Sequence, residues 1–166
     1  MTPVRLFLWT AAMVLAAFLA TQGAPLLGMH AAGQIWNALR LTAPWLSQAG
    51  DVIGGAIGGG MVGLLQSLLL RNVRWLWIAT LAGIAVGAAH ALYAPFALVA
   101  AAAAGAIAGL FQAPDNPRWA RAQAMAAAWV GLAAMLPFPR WTAAAFVVGA
   151  ALLSAWGIGG LPRTNA

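Results

Sequence analysis

The chain has no cysteine, no lysine and only two acidic residues, Asp51 and Asp115, in 166 positions. Without cysteine there is no disulfide, no thiolate metal site, no iron–sulfur cluster and no cysteine nucleophile, and the redox compartment is left open. Charged residues make up 6% of the chain, against roughly 25% in soluble domains. So few charges cannot cover the surface of a water-soluble fold. Lipid accepts apolar side chains directly, so a composition that is 64% hydrophobic reads as an integral membrane protein.

All eight basic residues are arginine, and the net charge is +6. They sit mostly in short segments between apolar runs, a placement that reads as membrane topology and phospholipid contact. No basic cluster is interleaved with exposed aromatics, so a nucleic-acid partner is not expected.

Six apolar runs are each close to the ~20 residues that cross a hydrocarbon core. They cover about Val4–Thr21, Val52–Leu70, Trp75–Tyr93, Pro95–Gln112, Trp119–Leu136 and Trp141–Leu161. Arg5 before the first run gives it the look of a signal peptide, but the cleavage end is poor, with Gln22 at −3 if the cut follows Ala24; a retained helix is expected. Between the first two runs, Ile35, Trp36, Leu39 and Trp45 alternate with polar residues. A short amphipathic helix lying in the interface over about 31–46, ended near Pro44, is expected there, with a solvated loop as the alternative. Arg71-Asn-Val-Arg74, Tyr93-Ala-Pro95, Pro114-Asp-Asn-Pro117 and Pro137-Phe-Pro139-Arg140 separate the later runs, with Asn116 a candidate N-cap. The fold class is thus an all-α six-helix membrane bundle, one polytopic domain over residues 1–166.

Part of it is duplicated. Gly59-Gly-Met-Val-Gly63-Leu-Leu-Gln66 recurs as Gly105-Ala-Ile-Ala-Gly109-Leu-Phe-Gln112, and Arg74-Trp75 recurs as Arg118-Trp119. The offset is 46 at the glycines (105 − 59) and 44 at the Arg-Trp pair (118 − 74), so each copy is a two-helix unit of the same orientation. With a cytoplasmic N-terminus, Arg5, Arg71, Arg74, Arg118, Arg121 and Arg163 fall inside and only Arg40 and Arg140 outside, as the positive-inside rule requires. Both termini are then cytoplasmic, in a membrane of the bacterial inner-membrane type. Trp36, Trp45 and Trp141 fall near the outer interface, and Trp9, Trp75, Trp77, Trp119 and Trp156 near the inner one.

Lipid tails give little hydrophobic drive for helix association, so small residues must let backbones approach. Gly55, Gly59 and Gly63, Gly83 and Gly87, and Gly105 and Gly109 are placed for that, and the helix carrying the first three is expected to be buried centrally. Gln66 and Gln112 each lie seven residues after a repeat glycine, on the same helical face. With Gln123 they are the polar intramembrane candidates, either as interhelical hydrogen bonds or as the lining of a solute path.

Catalytic signals are thin. Asp51 and Asp115 fall on opposite sides of the membrane, so paired-carboxylate chemistry is excluded, and Asp51 reads as an N-cap of the second run. His30, Asp51 and His90 share the outer side and are weak candidates for an open metal site. His90 alone is a candidate axial ligand for a haem or chlorophyll-type metal, or else an interfacial hydrogen-bonding group. Ser47, Ser67 and Ser154 are isolated from any triad partner. No enzymatic activity is expected.

Two functional readings remain. The first is a structural or accessory subunit of a larger membrane complex, touching lipid, quinone or pigment and docked on other subunits or on itself; it rests on the near absence of intramembrane charge to couple ions. The second is a small-solute transport component. Six helices, a long first outer loop and small residues spaced by four on the first helix (Ala12, Ala16 and Ala20) give a layout that resembles the substrate-binding S components of energy-coupling-factor vitamin transporters. A carrier should hold a solvent-reachable cavity lined by Gln66, Gln112 or Gln123; a scaffold should have a closed, dry, Gly-packed interior.

Overall fold

Pro25 sits inside a helix that runs unbroken from Pro3 to Leu39, in a computed structural model that describes residues 3–39, 45–135 and 140–158. A proline in a helix interior lacks an N–H and collides with the carbonyl four residues back. The chain accommodates it by widening the turn just before. Helix α1 (Pro3–Phe18) passes through a π turn at Leu19–Gly23 into α2 (Ala24–Leu39), and the Ala24 N–H donates to the Leu19 carbonyl. One i→i+5 bond of this kind resets the ladder ahead of the proline. The expected stop at Thr21 and the separate segment over 31–46 are therefore corrected: the first helix continues to Leu39. Arg40 and Pro44 lie outside the described residues.

Helix α3 (Leu46–Leu70) starts six residues earlier than expected, with Trp45 at its N-cap position and no side-chain cap. Asp51 is thus inside the helix and not its N-cap. The earlier start has a packing reason. Gly28 of α2 meets Gly50 and Gly54 of α3 so closely that a Cβ on Gly28 would run into the α3 backbone, so the added turn is what α2 rests on.

The remaining helices are α4 (Arg74–Leu92), α5 (Ala94–Gln112), α6 (Pro117–Met135) and α7 (Arg140–Ile158). Arg71 closes α3 in the left-handed conformation, at φ 52°, and the Asn72 Oδ1 accepts from the Arg74 N–H at 3.1 Å. Tyr93 is extended and hands the chain to α5, which carries proline in its first turn. Asn116 caps α6, its Oδ1 accepting from the Trp119 N–H at 3.2 Å. The end expected for the fifth run, at Leu136, that for the sixth, at Leu161, the Pro137-Phe138-Pro139 break and Arg163 lie outside the described residues, and so do the contacts of Trp141.

Each helix packs on its neighbour in sequence, and α1 packs on α7. The result is a closed ring of six rods, the first being α1 and α2 joined. Helix α3 is one member of this ring, flanked by α2 and α4, and the centre expected for it is open. Successive rods alternate in direction, so Arg5, Arg71, Arg74, Arg118 and Arg121 gather at one end. Asp51, His90 and Tyr93 lie at the other. Four helices are long and apolar enough to cross a membrane: Pro3–Leu39, Leu46–Leu70, Arg74–Leu92 and Ala94–Gln112. No strand occurs among the described residues.

The duplication extends to the contacts. In the first unit, a Cβ on Gly59 would strike Ala79, and one on Gly63 would strike Leu76. In the second, a Cβ on Gly105 would strike Gln123, and one on Gly109 would strike Ala120. Ala79 and Gln123, like Leu76 and Ala120, are 44 apart (123 − 79 and 120 − 76), the same offset as the Arg-Trp pairs. The α3–α4 and α5–α6 pairs thus close in one register. Gly55 extends the first interface toward Gly83 and Gly87; their close approach leaves no room for a side chain.

Candidate ligand cavity and its polar floor

The ring encloses a cavity of about 560 Å³ to which every helix contributes. Its lining is made largely of short residues: Gly54, Gly58 and Gly83 contribute from one half, and Ala101, Ala104 and Ala127 from the other. Short residues keep the backbones close along each helix pair and leave the centre unfilled. The volume lies within the 300–1,000 Å³ of small-molecule sites.

At the arginine end a polar floor closes the cavity. Trp119 donates from Nε1 to the Gln112 Oε1 at 3.0 Å. Gln112 then donates from Nε2 to the Gln66 Oε1 at 3.2 Å. The Gln66 Nε2 is left facing the Met13 sulfur at 4.0 Å. A second chain meets at Ser154, whose Oγ accepts from the Trp9 Nε1 at 3.1 Å and from the Gln123 Nε2 at 3.3 Å. Beneath these amides, Trp119 packs against both Trp9 and Trp75, with ring centroids 5.9 and 5.2 Å away.

Exposure falls from one end of the cavity to the other. Gln66 and Ser154 are 1% and 4% exposed at the floor. Asp51 and Thr21 are half-buried, and His90 and Pro25 are exposed, at the opposite end. The mouth therefore lies at the His90 end. Among the described residues, Asp51 is the single carboxylate on the lining, and no arginine reaches it.

All three polar intramembrane candidates, Gln66, Gln112 and Gln123, line this cavity. The repeat glutamines hydrogen-bond to each other between helices and also lie on the cavity lining. The metal candidates are not brought together. Asp51 and His90 both reach the mouth, whereas His30 is exposed on α2 and away from the lining. Among the described residues no group of three such side chains could hold a metal ion.

Trp9, Trp75 and Trp119 lie at the arginine end, as expected, but are no more than 5% exposed and form the core of that end. An indole facing lipid at the interface would use its N–H on water or headgroups; two of these three use it inside. Trp77 and Trp156 are exposed, and Trp156 carries Arg118 over its ring at 4.4 Å. Ser154, read from the sequence as isolated, and Trp9 and Met13 are floor residues that the sequence did not single out. Their partners lie 145, 31 and 53 residues away, so no local spacing marks them.

No protein-family model, curated protein or solved structure matches this chain.

Proposed function

We propose that this protein is a small-molecule binding component of a membrane transport system, its six rods crossing the bilayer with the arginine end cytoplasmic. The observation that supports the transport reading over the accessory one is the cavity, lined by Gln66, Gln112 and Gln123 and open at the His90 end. A scaffold has no use for a recess of this size among glycines and alanines, because filling it would add contacts between helices. The six-span topology draws on the positive-inside rule: five of the eight arginines sit at the floor end, and α7 starts with Arg140 at the other. The cargo is predominantly apolar and enters from the outer face. Among the described residues no charged pair lines the cavity to couple an ion gradient, so energy would come from a partner subunit, the arrangement that the layout resembling an S component implies.

A second observation favours the accessory-subunit reading. An outward groove between α4 and α5, lined by Ile78, Leu81, Ala100, Ile107 and Phe111, runs along the junction of the two repeats and could seat a helix of another subunit. The two roles are compatible.

The test is equilibrium binding of the bicyclic hydrocarbon tetralin to the purified protein in detergent, with Val130→Trp as the blocked reference. Val130 lines the cavity on α6. Saturable binding that Val130→Trp abolishes supports a ligand-binding role. Equal uptake by both proteins, as expected of micelle partition alone, contradicts it.

A further inference from the structure

The floor holds a poorly satisfied hydrogen-bond donor on a residue that lines the cavity, and its orientation is fixed by chemistry two residues away. An indole nitrogen can only donate. Trp119 therefore requires the oxygen of Gln112 on its side, at 3.0 Å. That turns the Gln112 amide nitrogen toward Gln66, whose oxygen must face it, at 3.2 Å. The Gln66 nitrogen is then committed to the remaining direction. It carries two N–H groups, and its single partner is the Met13 thioether at 4.0 Å, a weak acceptor at the limit of contact. Gln66 is 1% exposed and lines the cavity, so water does not reach it from outside the ring. A buried amide donor without a good acceptor is costly. Nothing else on the floor relieves it, because the Ser154 oxygen is already shared by Trp9 and Gln123.

We infer that Gln66 is the anchor for a neutral cargo that carries a carbonyl-type oxygen, as a ketone, quinone or amide does, on an otherwise apolar body. This rests on the proposed ligand-binding role and goes beyond it by naming the group recognised. The oxygen accepts from the Gln66 Nε2 at the floor, and the apolar body fills the space between the glycine- and alanine-lined walls. An anion would also accept this bond, but among the described residues no arginine lines the cavity, so its charge would be buried at the floor without a counter-ion. A pure hydrocarbon would leave the donor unmet.

The experiment compares 1-tetralone with tetralin, two molecules of one skeleton that differ by a carbonyl in place of a methylene. Binding of each is measured to the wild type, to Gln66→Met and to the blocked Val130→Trp in detergent, with thermal melting to verify folding and infrared spectroscopy of the bound ketone. The expected result is a roughly tenfold loss of tetralone affinity in Gln66→Met, the worth of one buried hydrogen bond, with tetralin unchanged. The carbonyl stretch of tetralone bound to the wild type should lie below its value in alkane. Equal changes for both molecules, or none for tetralone, would overturn the role of Gln66 while leaving the cavity a binding site. Failure of either molecule to bind the wild type saturably would overturn the ligand-binding role as well. If Gln66→Met does not fold, the wild-type spectrum decides: a carbonyl stretch at its alkane value overturns the inference.

Discussion

Gln112 donates to Gln66 across the ring at 3.2 Å, and the two residues occupy the same position in the two copies of the repeat. Their companions Trp75 and Trp119, also equivalent, pack with ring centroids 5.2 Å apart. Duplication has thus placed like residues against each other at one end of the molecule. The copies differ where the second has gained polarity: Gln123 stands where the first copy has Ala79. That difference supplies a third amide to the floor and makes the two halves of the cavity unlike.

The shared register of the two helix pairs makes glycine substitutions diagnostic. Gly59→Ala places a methyl against the Ala79 carbonyl and the Gly83 backbone and should destabilise by about 1–3 kcal/mol through overpacking. Gly105→Ala should behave alike at Gln123. Gly33→Ala has nothing within 4 Å of the new methyl and should be neutral or slightly stabilising, because alanine is the better helix former. Melting of the three variants in detergent checks this; equal effects would remove the case for close backbone contact between α3 and α4.

Trp119→Phe keeps the aromatic packing at the floor but removes the donor that orients the amides. A loss of about 1–2 kcal/mol is expected, from the Gln112 oxygen left unpaired. The same substitution in a Gln112→Leu background should cost less, giving a coupling of about 1 kcal/mol in a double-mutant cycle. Additive losses would mean that the indole and the amide do not act as one chain.

Because the native chain has no cysteine, single introduced thiols report sidedness without background. Val73→Cys and Tyr93→Cys lie at opposite ends of α4 and replace exposed side chains. An impermeant maleimide applied to intact cells should label Tyr93→Cys and spare Val73→Cys, with the reverse in inverted vesicles. Labelling of both from one side would refute the alternating ring, and exchanged labelling would invert its orientation.

Most of the helical plan was legible in the sequence because its breaks are chemical. Asn72 between two arginines, the extended Tyr93 before Pro95, and Asn116 ahead of Pro117 each end or start a helix through local groups. The end expected for the first run, near Thr21, was misleading: the helix continues past Pro25 through a π turn that no residue type announces. Asp51 looked like a cap because it is polar and precedes an apolar run, whereas the helix begins earlier to bring Gly50 and Gly54 against α2. The glutamines were visible through the repeat. Their partners Ser154 and Trp9 were not, since residues 145 apart meet only through closure of α1 on α7. The cavity itself had no sequence signal, because glycines and alanines that close a helix interface look the same as those that leave a space open.

The most direct test is native mass spectrometry of the protein extracted gently from its own membrane, beside Val130→Trp prepared in the same way. A small bound mass on the wild type that is missing from Val130→Trp is the result expected of a ring built around a ligand. A wild type that carries no such mass, or one that Val130→Trp retains, would contradict it.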